Sequence, residues 1–527
     1  MDNLRKLPIG IQDFEKLRKN GFIYVDKTAL LYELVQTETP YFLSRPRRFG
    51  KSLLITTLEA YFMGKKELFE GLSIAKKEKD WTVYPVVHFD FNGQNYSEPE
   101  GMNEIIDFHL RSWEKQYDVE KLSNSFGVRF ASIIEAAVKK TGQKVVVLVD
   151  EYDKPLLETM NVSEELIEKN RAIFKGMFGQ LKRLDGMLRF VLFTGVTKFS
   201  KVSIFSDLNQ LQDISMHPNY TTLCGITQEE LESNFAPEIE ALAKRNALTK
   251  EECIARLKKL YDGYHFSDNC PGIYNPFSLV NAFSNLRFGK YWFSTGTPTF
   301  LVKRLKDIGF NPKQFTDNSL YTTSSEISDY RPDNPNIVPL LYQSGYLTIK
   351  NYDERRERYT LGYPNDEVKY GFTESLAPIY LNNTTTSTGT DIFDIDDALE
   401  EGDTDSLKDQ FTAIFARLPY TTGKVEDNML ERDFQNVIYL VFMLLGQFVH
   451  VEQHSAKGRA DCIVETEKYV YIFEFKRDKS ADEALKQIEE NAYAKPYEAD
   501  SRRLIKIGAS FSSTERNISD WKVVSST

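Results

Sequence analysis

The octapeptide Tyr469-Val470-Tyr471-Ile472-Phe473-Glu474-Phe475-Lys476 admits few conformations. Its apolar residues are all aromatic or β-branched, which suits a pleated, buried surface, and its charges come only at the end. On a strand successive side chains alternate between faces, so Glu474 and Lys476 share one face and Phe473 and Phe475 the other. Upstream, Gly458-Arg459-Ala460-Asp461 leads into Cys462-Ile463-Val464 and a short polar turn. The two segments read as a β-hairpin that brings Asp461 to the same end. Two carboxylates at close range repel unless a divalent cation lies between them, and a lysine beside such a cation orients or helps deprotonate a water. That layout suits hydrolysis of a phosphodiester. The plain alternative is an amphipathic edge strand with a solvent ion pair.

A second constellation lies near the N-terminus. Ser44-Arg45-Pro46-Arg47-Arg48-Phe49-Gly50-Lys51-Ser52 sits between a short apolar strand ending at Phe42-Leu43 and the helical spacing of Leu53 to Phe62. That is the context a Walker A phosphate loop needs. Arg48 and Gly50 fall in the phosphate-contacting stretch, Lys51 reaches the outer phosphates, and the Ser52 hydroxyl ligates magnesium. Arg45 stands where the pattern has its first glycine. The hydrophobic strand Val145 to Val149 ends in Asp150-Glu151. In a Walker B reading Asp150 holds the magnesium through water and Glu151 polarises the attacking water. A further strand, Phe190 to Phe193, ends in Thr194-Gly195-Val196-Thr197-Lys198 at the same sheet edge, where ligands of such folds bind. Thr194 or Thr197 either senses the terminal phosphate or merely caps the strand; the sequence leaves both open.

At 527 residues the chain is too long for a single core. The apolar runs Val86 to Phe89, Lys144 to Val149 and Leu188 to Phe193 alternate with helical segments, which predicts an open parallel α/β sheet over 1–226. From Thr227 the chain turns helical, Thr227-Gln228-Glu229-Glu230 being a helix start. Further on, a helix at Ile337 to Gln343 and strands at Tyr346 to Lys350 and Tyr359 to Gly362 predict a winged-helix element within 227–381. Arg355, Arg356 and Arg358 lie at its tip, which reads better as solvated than as phosphate-binding. Asn382 to Thr390 has the composition of a linker, and 391–527 forms the last domain. The apolar stretch Val437 to Val451 is too short to span a bilayer and reads as a buried helix.

Cys224, Cys253, Cys270 and Cys462 show no paired spacing, which argues against a zinc site or a disulfide framework. With no apolar run behind Met1, a soluble cytoplasmic protein is expected. The formal net charge of -11 is awkward for a protein that binds nucleic acid. Nine acids lie between Asp391 and Asp409 against Lys408 alone, and from Lys424 onward 15 basic residues face 18 acidic ones.

The C-terminal pattern resembles the PD-(D/E)XK nuclease superfamily, to which Asp461, Glu474 and Lys476 match residue by residue. Ala460 replaces the usual proline before the first acid. Members of that superfamily often add a carboxylate from the preceding helix, a place Glu431 would fill as a metal ligand. Gln487 is followed by Tyr493 rather than by a tyrosine four residues on, so the glutamine-tyrosine signature of one branch is not met.

Nearly the whole chain is similar to bacterial AAA-ATPase-like proteins fused to a C-terminal nuclease domain of this kind. The match rests on Gly21-Phe22-Ile23-Tyr24-Val25-Asp26-Lys27-Thr28, the arginine-rich loop, Asp150-Glu151-Tyr152-Asp153-Lys154-Pro155, Tyr274-Asn275-Pro276 and the Glu-x-Lys hairpin. It implies a P-loop NTPase-type parallel sheet, a helical and winged-helix middle, and a restriction-endonuclease-like α/β domain. ATP and Mg2+ are the expected cofactors, DNA and a second copy of the chain the candidate partners, and no membrane is involved. The expected activity is ATP hydrolysis joined to magnesium-dependent DNA cleavage by Asp461, Glu474 and Lys476. The rival is a nucleotide-dependent switch or scaffold whose nuclease-like module binds without cutting.

Overall fold

A computed structural model describes residues 5–160, 162–198, 204–205, 208, 210–295, 299–308, 310, 312–315, 320–328, 336–380, 388–416, 427–446, 450–453, 460–498 and 500–525. The chain forms two compact units, one of Met1–Thr295 with Leu320–Glu367, the other of Gly296–Ser319 with Val368–Thr527. The expected boundaries at 226 and 381–391 therefore fall inside these units. Residues 227–295 belong to the first unit, where Tyr264 and Phe266 pack on Phe49 and Phe277 lies under the Arg48 guanidinium of the phosphate-loop-like turn. The second unit begins before 391, since Tyr370 donates to the Gly446 carbonyl and Phe372 packs on Phe315. Thr388–Glu401 is helical, so the last residues of the expected linker belong to an element.

In the first unit β1 (Tyr41–Ser44), β2 (Val86–Asp90), β3 (Val145–Asp150), β4 (Leu188–Gly195) and β5 (Gln212–Asp213) form a parallel sheet in the order β2-β3-β4-β1-β5. Every residue of β3 is buried, as a strand covered on both faces must be. β4 lies between β1 and β3, and because the pairs are parallel the carboxyl ends of the three strands lie at one edge of the sheet. Thr227 opens the helix Gln228–Asn234 with a capping box closed by Glu230, as its sequence signature predicts.

The expected wing strands are β7 (Thr348–Asp353) and β8 (Arg358–Gly362), preceded by the helix Val338–Gln343. A third strand, β6 (Leu320–Thr323), pairs with β8 and was not anticipated. At the tip Arg356 pairs with Asp353, and Arg358 stacks 3.8 Å from the Tyr321 ring. Both arginines are thus engaged within the element.

In the second unit β9 (His450–Gln453), β10 (Cys462–Glu465), β11 (Tyr469–Arg477), β12 (Arg503–Ser512) and β13 (Asn517–Ser525) form a sheet in the order β13-β12-β11-β10-β9. β11 and β12 run parallel through the crossover helix Ala481–Glu490; the other pairs are antiparallel. The apolar helix ends at Leu445 rather than continuing to Val451, because His450 and Val451 pair with β10. Tyr471 and Phe473 join one core with Phe411 and Phe442, while Val470 and Ile472 face Ile488 on the other side. Cys224, Cys253, Cys270 and Cys462 are all free thiols. Among the described residues no helix is long and apolar enough to cross a membrane.

Candidate functional sites

The turn after β1 is set by its backbone. Gly50 stands at φ +93° before the helix Lys51–Phe62, a conformation that L side chains rarely adopt. Lys51 follows at the helix N-terminus, nearly buried, and donates to the carbonyls of Arg45 at 3.0 Å and Pro46 at 3.1 Å. Beside it lies a cleft of about 780 Å³, lined at this end by Arg47, Arg48, Lys51, Ser52 and Glu151. A helix N-terminus with a lysine, in a cleft of that volume, suits a polyphosphate.

Arg45 does not face this cleft. Its guanidinium is fully buried and donates to the carbonyls of Ser44, Ser215 and Tyr220, while stacking 4.1 Å from the Phe266 ring. The side chain at the first-glycine position is thereby turned away from the cleft into the protein interior, where its terminal nitrogens find acceptors.

Opposite the loop, Asp150 ends β3. Thr194 of β4, fully buried, donates to Asp150 Oδ1 at 2.5 Å, and the Glu151 amide donates to the same oxygen at 3.1 Å. Thr194 lies beneath Asp150 rather than along the cleft, the geometry of a cap. Thr197 likewise caps Asp153, giving its amide and hydroxyl to Oδ2 at 2.6 and 2.7 Å. Glu151 lines the cleft with a left-handed backbone at φ +52°. Burial pushes its carboxyl up from the ordinary range, Lys51 opposes that, and Asp150 and Asp153 add to it. Asp26 and Lys27 of the matched motif lie elsewhere. Asp26 accepts from Thr28 and Ser73, and Lys27 donates to both oxygens of Glu230, so the pair pins elements together.

The second constellation assembles on β10 and β11. Cys462 faces Phe473 in register, which sets Asp461 across from Glu474. The Phe475 amide donates to Asp461 Oδ2 at 2.9 Å. Lys476 Nζ lies 2.9 Å from Glu474 Oε1 on the shared face. Glu474 is 2 % exposed, and among the described residues its buried Oε2 has no hydrogen-bond partner. Burial, then the Asp461 charge, pushes the Glu474 carboxyl up, with Lys476 pulling the other way. An orphaned carboxylate oxygen next to a second carboxylate is a donor set of hard oxygens, which fits magnesium. Glu431 lies in the helix Asp427–Leu445, its side chain outside the described residues. Among the described residues no cluster of three or more metal-ligating side chains occurs.

From its sequence alone Gln487 has no assigned role. Its Oε1 accepts from Lys476 Nζ at 2.5 Å, so the lysine is held between Glu474 and Gln487. Close approach of the crossover helix makes this contact feasible: a Cβ on Gly508, the β12 partner of Glu474, would meet the Ala481 carbonyl at 2.4 Å. The signal was present in the sequence as a glutamine on the helix after Glu-x-Lys, but the expected tyrosine spacing was not.

A family profile described as a predicted AAA-ATPase matches residues 8–205, and one described as the PD-(D/E)XK nuclease superfamily matches residues 429–521. An "Uncharacterized protein in vnfD 5'region" of Azotobacter chroococcum mcd 1 is 35% identical over 534 residues, covering 99% of this chain and 99% of that one. The chain belongs to the AAA-ATPase-like proteins with a C-terminal PD-(D/E)XK domain. In this family member the arginine-rich loop, Asp150 and Glu151 fall inside the AAA-ATPase-like match, and Asp461, Glu474 and Lys476 inside the nuclease-superfamily match. It is a protein of nucleotide-binding and nuclease-like domains.

Proposed function

We propose that this chain binds and hydrolyses ATP in its N-terminal domain and cuts DNA with its C-terminal domain, under nucleotide control, in the cytoplasm. The observation that carries the cleavage reading is the buried, unpartnered Glu474 Oε2 beside Asp461. A divalent cation bound at either site supplies charge neutralisation of the phosphate and a more acidic water. Asp461 and Glu474 hold the scissile group's counter-charge in place, with Glu431 as the candidate third ligand. Lys476, fixed between Glu474 and Gln487, donates to the attacking water or to the developing negative charge. At the other site Arg48, Gly50 and Lys51 contact the phosphates, Ser52 and Asp150 would hold a cation, and the Glu151 carboxylate accepts a hydrogen bond from the attacking water. Thr194 acts through Asp150.

Cleavage of linear, circular and single-stranded DNA by the full-length protein in magnesium, with and without ATP, tests this reading. Loss of cleavage in Lys476→Ala supports the site, and an altered ATP response in Lys51→Ala supports the control. Equal cleavage in both variants and the parent removes the reading.

One observation favours the scaffold alternative. Several cations of the C-terminal domain are paired within it, Lys506 to Glu489, Lys522 to Asp482, and Arg502 to Glu465 and Asp500. Such pairs weaken phosphate-backbone attraction. DNA binding without metal-dependent cleavage supports that alternative.

A further inference from the structure

Three successive carbonyls of the arginine-rich loop have donors. Those of Arg45 and Pro46 accept from Lys51, and that of Arg47 accepts from the indole Nε1 of Trp292 at 2.9 Å. A trans peptide points its C=O and N–H in opposite directions. Tying the Arg47 carbonyl to Trp292 therefore fixes the direction of the Arg48 amide, the kind of group that cradles phosphate. The same indole sits 5.3 Å from the Arg47 guanidinium, which also reaches the Tyr346 hydroxyl at 3.4 Å.

Trp292 is itself immobilised. It is fully buried, and its backbone amide donates to Glu367 Oε1 at 2.7 Å and to Ser278 Oγ at 3.2 Å, while Ser278 donates to Glu367 Oε2 at 2.7 Å. Its carbonyl accepts from Thr295, which, like Arg47, lines the cleft. All of these residues belong to the first compact unit.

We propose that Trp292 is a positioning residue of the nucleotide site: held by Glu367 and Ser278, it orients the Arg47–Arg48 peptide and the Arg47 guanidinium toward the polyphosphate. This rests on the nucleotide-binding reading above. It also explains the arginines of the loop, whose side chains are keyed to aromatic groups outside it rather than replaced by glycine.

Trp292→Phe keeps an aromatic ring and removes the Nε1 donor together with part of the indole's buried volume. In full-length protein with magnesium, a lost neutral hydrogen bond lowers ATP affinity roughly fivefold. The KM for ATP rises by a similar factor with kcat changed less than about twofold. ATP binding that is abolished by Lys51→Ala yet unaltered in Trp292→Phe overturns this inference and leaves the nucleotide reading standing. A folded parent that binds no ATP overturns both. Should Trp292→Phe not fold, Arg47→Lys retains the charge and loses the planar stacking; a weaker ATP affinity is expected, and parental affinity overturns the proposal.

Discussion

Thr194 donates its hydroxyl to Asp150 Oδ1 at 2.5 Å from the neighbouring strand, so the carboxylate expected to hold the nucleotide's cation is oriented by a group that never reaches the cleft. Thr194→Val keeps the shape and deletes the donor. Loss of an orienting partner behind a metal ligand costs about 10- to 100-fold in metal affinity or activity. Phosphate release by Thr194→Val should fall by that order, with its circular dichroism spectrum unchanged.

Gln487 holds Lys476 as Thr194 holds Asp150. Gln487→Ala removes the acceptor and frees the ammonium to leave the Glu474 face. Metal-dependent cleavage should drop by about 10-fold or more, and Gln487→Glu, which restores an acceptor, should recover part of it. The comparison is made by initial rates on one linear substrate.

The crossover helix depends on Gly508. An added Cβ there would stand 2.4 Å from a backbone carbonyl and 2.9 Å from the Leu485 side chain. Overpacking of this kind costs about 1–3 kcal/mol. Gly508→Ala should lower the denaturant midpoint of the C-terminal unit and, by moving Gln487, its cleavage rate as well.

Glu367 gives a pH signature. Burial pushes its carboxyl up to about 7, against the favourable donors Ser278 and Trp292. Between the ordinary carboxylate pKa and about 7 the unfolded chain has released its proton while the folded chain keeps it. Stability is therefore greatest at the acid end of this window and declines as pH rises through it, then levels off. Glu367→Gln cannot titrate. The melting temperature of the parent should fall more steeply between pH 5 and pH 7 than that of the variant, a window bounded by the same shift.

Much of the fold was legible because each element carried its own local signal. β3 reads as an unbroken apolar run, Thr227-Gln228-Glu229-Glu230 marks a helix start, and the alternation of β11 separates Glu474 and Lys476 from the phenylalanines. What stayed hidden depends on groups far apart in the chain. Arg45 departs from the phosphate-loop pattern in sequence, and the groups that accommodate it, Ser215, Tyr220 and Phe266, lie far along the chain. β6 is four residues long, and its partner β8 lies across residues 324–357. Residues 299–315 join the C-terminal unit through packing such as Phe315 on Phe372, which no linear pattern announces. Thr194 illustrates a milder failure: its position at the strand end was read correctly, but which way its hydroxyl points depends on the neighbouring strand.

The account stands on Asp461, Glu474 and Lys476 acting together on one divalent cation. Its most direct test is the rate of DNA cleavage by full-length protein in magnesium and in excess chelator, for the parent and for Asp461→Asn, Glu474→Gln and Lys476→Ala. The prediction is cleavage that needs the metal and falls at least about 100-fold in each variant. Metal-independent cleavage, or variants that cut as fast as the parent, would contradict it.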